Sequence, residues 1–376
     1  MRILIAPTAF KGSLSPIEVA NAMQRGVDLF CSKYKADIST DILPLADGGD
    51  GTVESIYAAC GGEIHQCKVQ GAFDEERTAV WLLRGNVAFV ELASACGISG
   101  WKREQLRPLQ AHTRGLGQVI NHVINDVPAK KIVVSLGGSA STDGGAGALS
   151  MLGAKFFNAD GELLNHLGGA SLAAVTSCDL SSCRALSNAF EFVIATDVEN
   201  PLLGPLGAAS IFGPQKGCSA QDIELLDRNL ARFADVLELA SGSPNARHKS
   251  GAGAAGGTAF GLAIGLNAEI VSGFDYLADL LGLQSRCQNA DLIFAAEGLI
   301  DTSTLSGKAV GSLQKMAIQY QKKLWAFSAG SADPQLSNSF ENLVSIANAG
   351  DYADADKVAN SVFHELEKHL GNTGAH

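Results

Sequence analysis

The 376-residue sequence contains no C-x-x-C pair, no H-E-x-x-H run and no G-x-x-x-x-G-K-[ST] loop. The first two absences remove the usual zinc-ligand spacings, and the third removes a Walker-type nucleotide site. No apolar run approaches the roughly 18 residues of a membrane span, and MRILIAPTAFK reaches Pro7 and Lys11 too soon for a signal peptide. Positive charge is scarce as well. With 28 Lys and Arg against 39 Asp and Glu the net charge is -11, with no basic block, so the footprint of a nucleic-acid binder is missing. The expectation is a soluble, cytoplasmic protein that acts on a small molecule, not on a nucleic acid or a membrane. The eight cysteines, at 31, 60, 67, 96, 178, 183, 218 and 287, read as small buried hydrophobes in a reducing compartment.

What the chain does have is glycine, 42 residues of it, with 46% hydrophobic and 18% charged residues. That is the composition of a globular protein with many tight turns, and at roughly 150 residues per domain it predicts two or three domains. Arg2 to Ala6 is a short apolar run. Ser15-Pro16-Ile17-Glu18 then forms a capping box with Pro at the first helical position, predicting a helix from Ser15. Ile17, Ala20, Met23, Val27 and Phe30 recur on one face, and a strand-like run follows at 38–45, completing a βαβ unit. The same alternation returns near the C-terminus, with strand candidates at 292–296, 324–328 and 343–347 and helical patterns at 308–322 and 354–369. Apolar strands between amphipathic helices indicate a parallel sheet covered on both faces.

Between these ends the pattern changes. Residues 63–93 read as three strands, the last two separated by an Arg84-Gly85-Asn86 turn. A strand-loop-helix at 131–152, a hairpin around 158–161, a strand at 190–195 and a long helix opening at Ser219 follow. No internal repeat or low-complexity linker is present. The fold class expected is α/β with two unlike domains: a Rossmann-like doubly wound parallel-sheet domain from residues 1–61 plus 290–376, and a second α/β domain inserted at 62–289.

Four loops carry residues suited to chemistry. In KIVVSLGGSASTDGGAG an apolar strand runs into Gly137-Gly138-Ser139 and then Asp143-Gly144-Gly145 before a helix; glycines let backbone N–H groups approach an anion and a helix N-terminus adds partial positive charge. A tight turn alone needs fewer glycines, so this loop is the leading phosphate site. LPLADGGDGT places Asp47 and Asp50 among three glycines, and a carboxylate at a strand end suits Mg²⁺ or a general base; Asp47 is preferred because Asp50 also reads as a helix cap. The third region, from Asp197 and Asn200 to Phe212-Gly213-Pro214-Gln215-Lys216-Gly217, offers an acid, an amide and an ammonium. The fourth, Glu297 to Lys308, supplies Glu297, Asp301, Thr304 and Lys308 after another strand, where ligands gather in doubly wound sheets; Lys11 follows the first strand at the same edge. Gly251-Ala252-Gly253-Ala254-Ala255-Gly256 matches G-x-G-x-x-G, but polar Arg247-His248-Lys249-Ser250 precedes it where a dinucleotide site needs a strand.

With these segments in order, the chain resembles the bacterial type-1 glycerate kinases over essentially its whole length. The matching strings are IAPTAFKGSLS (5–15), LPLADGGDGT (43–52), LGGSASTDGGAG (136–147), DVENPLLG (197–204), FGPQKG (212–217), GAGAAGG (251–257) and EGLIDTSTLSGK (297–308). The resemblance implies ATP-dependent, Mg²⁺-assisted phosphorylation of D-glycerate to 2-phosphoglycerate, or in some members 3-phosphoglycerate, by two unlike α/β domains around a cleft. On that reading Gly137 to Gly145 and Lys216 hold the nucleotide phosphates. Asp47 and Asp197 serve the metal and the base, with Lys11 the third catalytic candidate. Asn200, Glu297, Asp301, Thr304 and Lys308 meet the substrate. The sequence departs from the family pattern at Thr8-Ala9, where Asp-Ser is common, and at Thr142, Leu299 and Ser303, where Asn, Arg and Gln are usual; these changes bear on substrate choice more than on reaction class.

Two other readings remain at this point. A dinucleotide-dependent hydroxy-acid dehydrogenase would use Gly251 to Gly256 and predicts nicotinamide-cofactor affinity. A hydroxy-acid sensor without turnover would follow from Leu299 and Ser303, and predicts binding without ADP release.

Overall fold

Ile3, Leu4, Ile5 and Ala6 are all fully buried, as a continuous apolar run must be when both faces of its strand are covered. The structure, a computed structural model, describes residues 1–10, 13–46, 48–49, 51–305, 309–347 and 353–371. Its strands there are β1 (Arg2–Pro7), β2 (Ser39–Ile42), β3 (Glu63–Gln70), β4 (Glu76–Arg84), β5 (Val87–Glu91), β6 (Lys131–Ser135), β7 (Lys155–Phe157), β8 (Ser177–Asp179), β9 (Glu191–Ala195), β10 (Glu269–Val271), β11 (Leu292–Glu297), β12 (Lys323–Ser328) and β13 (Asn342–Ser345). The chain divides into two compact units. One comprises Met1–Asp47, Glu54–Gly61 and Phe274–His376, the other Gly48–Val53 and Gly62–Gly273.

The first unit is a five-stranded, all-parallel sheet in the order β13-β12-β11-β1-β2. Renumbered within the unit this is 2-1-3-4-5, the flavodoxin-like doubly wound order, whose switch point lies between β1 and β11. Ser15 caps the helix Pro16–Tyr34 with both bonds of the capping box in place. That helix packs on Ala355–Leu370 so closely that a β-carbon at Gly26 would stand 2.5 Å from the Ala359 carbonyl oxygen. Val19, Met23, Phe30, Phe294, Trp325, Phe327, Val358 and Val362 share the core.

The second unit is built on a six-stranded sheet, β10-β9-β6-β5-β4-β3. Strands β10, β9, β6 and β5 are parallel, and β4 and β3 complete the sheet antiparallel. Its core gathers Trp81, Leu116, Ile120, Phe156, Leu230, Phe233 and Phe260. Two segments lie differently from the sequence expectation. Residues 274–289 cluster with the first unit, where Arg286 pairs with Asp41 of β2. Gly48–Val53 clusters with the second, for reasons given next. No helix among the described residues is long and apolar enough to cross a membrane.

Candidate active site

Four parallel strands of the second unit end level with one another. Glu91 of β5 is paired with Ser135 of β6, Ser135 with Ala195 of β9, and Ala195 with Val271 of β10. The residues that follow them emerge along a single edge, the place where parallel α/β sheets bind ligands. Gly48–Val53 lies across that edge: the Gly137 N–H donates to the Gly48 carbonyl at 3.2 Å, and the Val53 N–H donates to Glu91 Oε1 at 2.7 Å. The approach is backbone to backbone. A β-carbon on Gly137 would stand 2.2 Å from Gly49 Cα, and one on Gly48 would stand 2.8 Å from the Ala195 carbonyl oxygen. Glu91 was not among the sequence candidates; the one signal for it is an acid closing an otherwise apolar strand immediately before a helix.

Asp197 leaves β9 at the same edge, half-buried, and its Oδ1 accepts from Ser272 Oγ, just past β10, at 3.0 Å. Its neighbour Thr196 is fixed by an N–H bond to the Val271 carbonyl. Asn200 is used inside its own loop, donating from Nδ2 to the Leu206 carbonyl at 2.8 Å, while its carbonyl accepts from Gly253.

The glycine-rich loop after β6 has two halves that behave differently. In the first, Gly138 is exposed with φ +67°. The Gly138 carbonyl and the Ala140 N–H bond to Ile98 and Cys96, and the N–H groups of Gly138 and Ser139 have no protein acceptor among the described residues. The second half turns inward. Asp143 is fully buried; its Oδ2 accepts from Thr113 N (2.8 Å), Thr113 Oγ1 (2.7 Å) and Gly147 N (3.1 Å), and its Oδ1 from Gly145 N (3.2 Å). Gly144 N donates to the Gly256 carbonyl and Ala148 N to Thr113 Oγ1. The N–H groups of Gly144 and Gly145 that sequence reasoning offered to an anion are thus taken by the protein, and Asp143 caps the short helix Ala146–Met151.

The Gly251–Gly257 run supports this second half. It follows a 3-10 turn at Ala246–His248 and places Ala255, Gly256 and Gly257 in succession at φ 52°, 66° and 84°. A β-carbon on Gly256 would stand 2.2 Å from the Ser141 carbonyl oxygen. Only glycine allows that contact, and it accounts for the resemblance to a dinucleotide fingerprint without a dinucleotide.

Lys216 ends the 3-10 turn Pro214–Lys216 and is 2% exposed. Its Nζ donates to Ser139 Oγ at 2.9 Å and to the Ser141 carbonyl. Burial pushes its pKa down to about 8 from 10.5, against the opposing pull of Asp143 and Cys218. The unfolded chain holds this proton up to its ordinary pKa and the folded protein releases it near pH 8, so between these values the unfolded state binds more protons and stability rises with pH. The contribution is about 3 kcal/mol across that window. A Lys216→Met variant should lose this slope, as read by chemical denaturation at pH 7 and pH 10.

In the first unit a second group forms at the switch point. Thr8 donates from both N and Oγ1 to the Ala296 carbonyl, joining the ends of β1 and β11. Thr304, fully buried, donates from Oγ1 to Glu297 Oε2 at 3.2 Å and accepts from Asp301 N at 3.2 Å. Thr304 therefore holds the two acids in place, and Leu299 stands exposed between them. Lys11, Asp47 and Lys308 lie outside the described residues.

Among the described residues no three His, Cys, Asp or Glu side chains cluster as a metal site. Mg²⁺ asks for less, one or two carboxylates plus phosphate oxygens and water, and Asp197 beside a glycine-rich backbone fits that donor set. All eight cysteines are free thiols, and five of them are poor nucleophiles: burial pushes Cys96 and Cys183 up to about 12 and Cys178, Cys218 and Cys287 up to about 11.

The glycerate kinase family model matches residues 3–374. The chain belongs to the glycerate kinase family. Its enzymes are phosphotransferases with an alcohol group as acceptor, which bears out the resemblance carried by the seven motifs. The glycerate kinase of Bacillus subtilis (strain 168) is 38% identical over 323 residues, covering 85% of this chain and 82% of its own. The glycerate 2-kinase of Escherichia coli (strain K12) is 36% identical over 336 residues, 89% of this chain and 86% of its own. A crystal structure from Salmonella typhimurium LT2 assigned to glycerate kinase 2 superposes with a TM-score of 0.82 at 33% identity, over 100% of this chain and 98% of the other. The two-domain α/β fold of the kinase family is the fold seen here.

Proposed function

We propose that this kinase transfers the γ-phosphoryl group of Mg-ATP to a hydroxyl of D-glycerate, with 2-phosphoglycerate as product. The observation that carries the reading is the convergence at one sheet edge of Gly137–Ser139, Gly48–Val53 and Asp197. Phosphoryl transfer needs positioning and charge neutralisation more than covalent chemistry, and this edge supplies unpaired N–H donors next to a carboxylate. The N–H groups of Gly138 and Ser139 would donate to phosphate oxygens. Asp197 and Asp47 are the acids for holding the metal and receiving the acceptor's proton; both tasks need an ionised oxygen. Bound Mg²⁺ would draw negative charge from the phosphates. In the first unit, Glu297 and Asp301 are suited to accept hydrogen bonds from substrate hydroxyls. The product assignment leans on the E. coli relative, a glycerate 2-kinase. Eight unpaired thiols suit a cytoplasmic setting.

ADP release from Mg-ATP is the direct test, with D-glycerate, L-glycerate, tartronate and no acceptor, and the phosphorylated position read by phosphorus NMR. Turnover with D-glycerate and a signal at the 2-position is expected. Ligand binding with no ADP under any acceptor would sink the proposal.

A further inference from the structure

The mechanism proposed above leaves one costly group without a task. Lys216 buries an ammonium whose hydrogen-bond partners are neutral, a hydroxyl and a carbonyl, with Asp143 acting on it only through its charge. Two further hydroxyls of the same loop, Ser141 Oγ and Thr142 Oγ1, are fully buried without hydrogen-bond partners. A buried cation without a direct ion pair is expensive, and an apolar side chain of similar size would commonly serve stability better. The turn that delivers the ammonium is itself fixed. Pro214 opens it, Lys216 N and Cys218 N both donate to the Gly213 carbonyl, and Gly217 ends it at φ 88°. The lysine therefore meets the loop from its buried side.

We infer that Lys216 is a positioning residue: by bonding Ser139 and Ser141 together it holds the Gly137–Ser139 segment in the conformation that presents its N–H groups, and it does not itself touch the phosphate. This replaces the expectation of a direct lysine–phosphate contact, and it rests on the reading of that segment as phosphate-binding. A lysine that acts through Ser139 loses its effect once the Ser139 hydroxyl is gone, whereas a lysine that touches phosphate does not.

The test is a double-mutant cycle in the full chain with Lys216→Met, Ser139→Ala and the pair, measuring KM for Mg-ATP, kcat and thermal unfolding, with hydrogen exchange of residues 136–142 followed in parallel. Lys216→Met should raise KM for Mg-ATP about tenfold alone and less than about threefold in the Ser139→Ala background. Ser139→Ala, which leaves the lysine intact and is the safer variant to fold, should raise KM several-fold and lower the melting temperature by a few degrees, because it takes one of two acceptors from a buried ammonium. Exchange in 136–142 should quicken in both single variants. Equal effects of Lys216→Met in both backgrounds would mean direct contact and overturn the inference. So would unchanged exchange in 136–142, a readout that stands even if the wild type shows no turnover with D-glycerate, the result that defeats the functional reading instead.

Discussion

Replacing Asp197 by Asn should lower kcat with D-glycerate by about a thousandfold, within the 10²–10⁴ range that general acid–base groups supply. The amide has nearly the same shape, and its oxygen can still accept from Ser272 Oγ, the bond that now fixes Asp197 Oδ1. The melting temperature should therefore stay within about 2 °C of the wild type, as expected for a change that leaves the packing intact. What the amide cannot do is hold Mg²⁺ as an anion or take a proton from a hydroxyl. Steady-state ADP release alongside a thermal melt checks both halves. A folded Asp197→Asn enzyme with wild-type turnover would remove Asp197 from the chemistry.

Asp143 should give the reverse pattern. Its carboxylate collects four hydrogen bonds from Thr113, Gly145 and Gly147 in a fully buried place. Asp143→Ala strands those donors away from water, and losing such a network costs about 3–5 kcal/mol. In a unit of this size that is a fall of roughly 10 °C in melting temperature. Calorimetry decides between the two roles. A large fall identifies Asp143 as the pin of the loop, and an unchanged melt with a raised KM for Mg-ATP would return it to the ligand-contacting set.

The contrast between these two acids shows where sequence reading runs out. Both follow a buried strand and sit among loop residues, and in one dimension they look alike. Asp197 differs only because its loop stays at the sheet edge, while the loop of Asp143 doubles back onto Thr113, thirty residues earlier. The elements themselves were legible: the capping boxes at Ser15 and Ser219 start their helices where expected, and the apolar runs at both ends pair in one parallel sheet. Local periodicity and capping chemistry decide those features. The membership of Gly48–Val53 in the second unit was not legible, because it depends on Gly49 and Gly137 meeting backbone to backbone across 88 positions (137 minus 49). The direction of Lys216 was hidden for a similar reason: a lysine after Gly-Pro reads as free to reach a phosphate until Ser139 and Ser141 are found around it.

The pairing of β1 with β11 sets a timetable for synthesis. Ile3, Leu4, Ile5 and Ala6 leave the ribosome 289 residues (292 minus 3) ahead of their partners Leu292 to Ala295. At roughly 5–20 residues per second this is a wait of roughly 15–60 s. The second unit, whose sheet is complete by Val271, can close during that interval while β1 still shows an unpaired apolar edge. Newborn chains are thus at their most adhesive before β11 is made. Slower translation or shortage of chaperones should harm the yield of this enzyme more than that of a protein whose first strand finds its neighbours early.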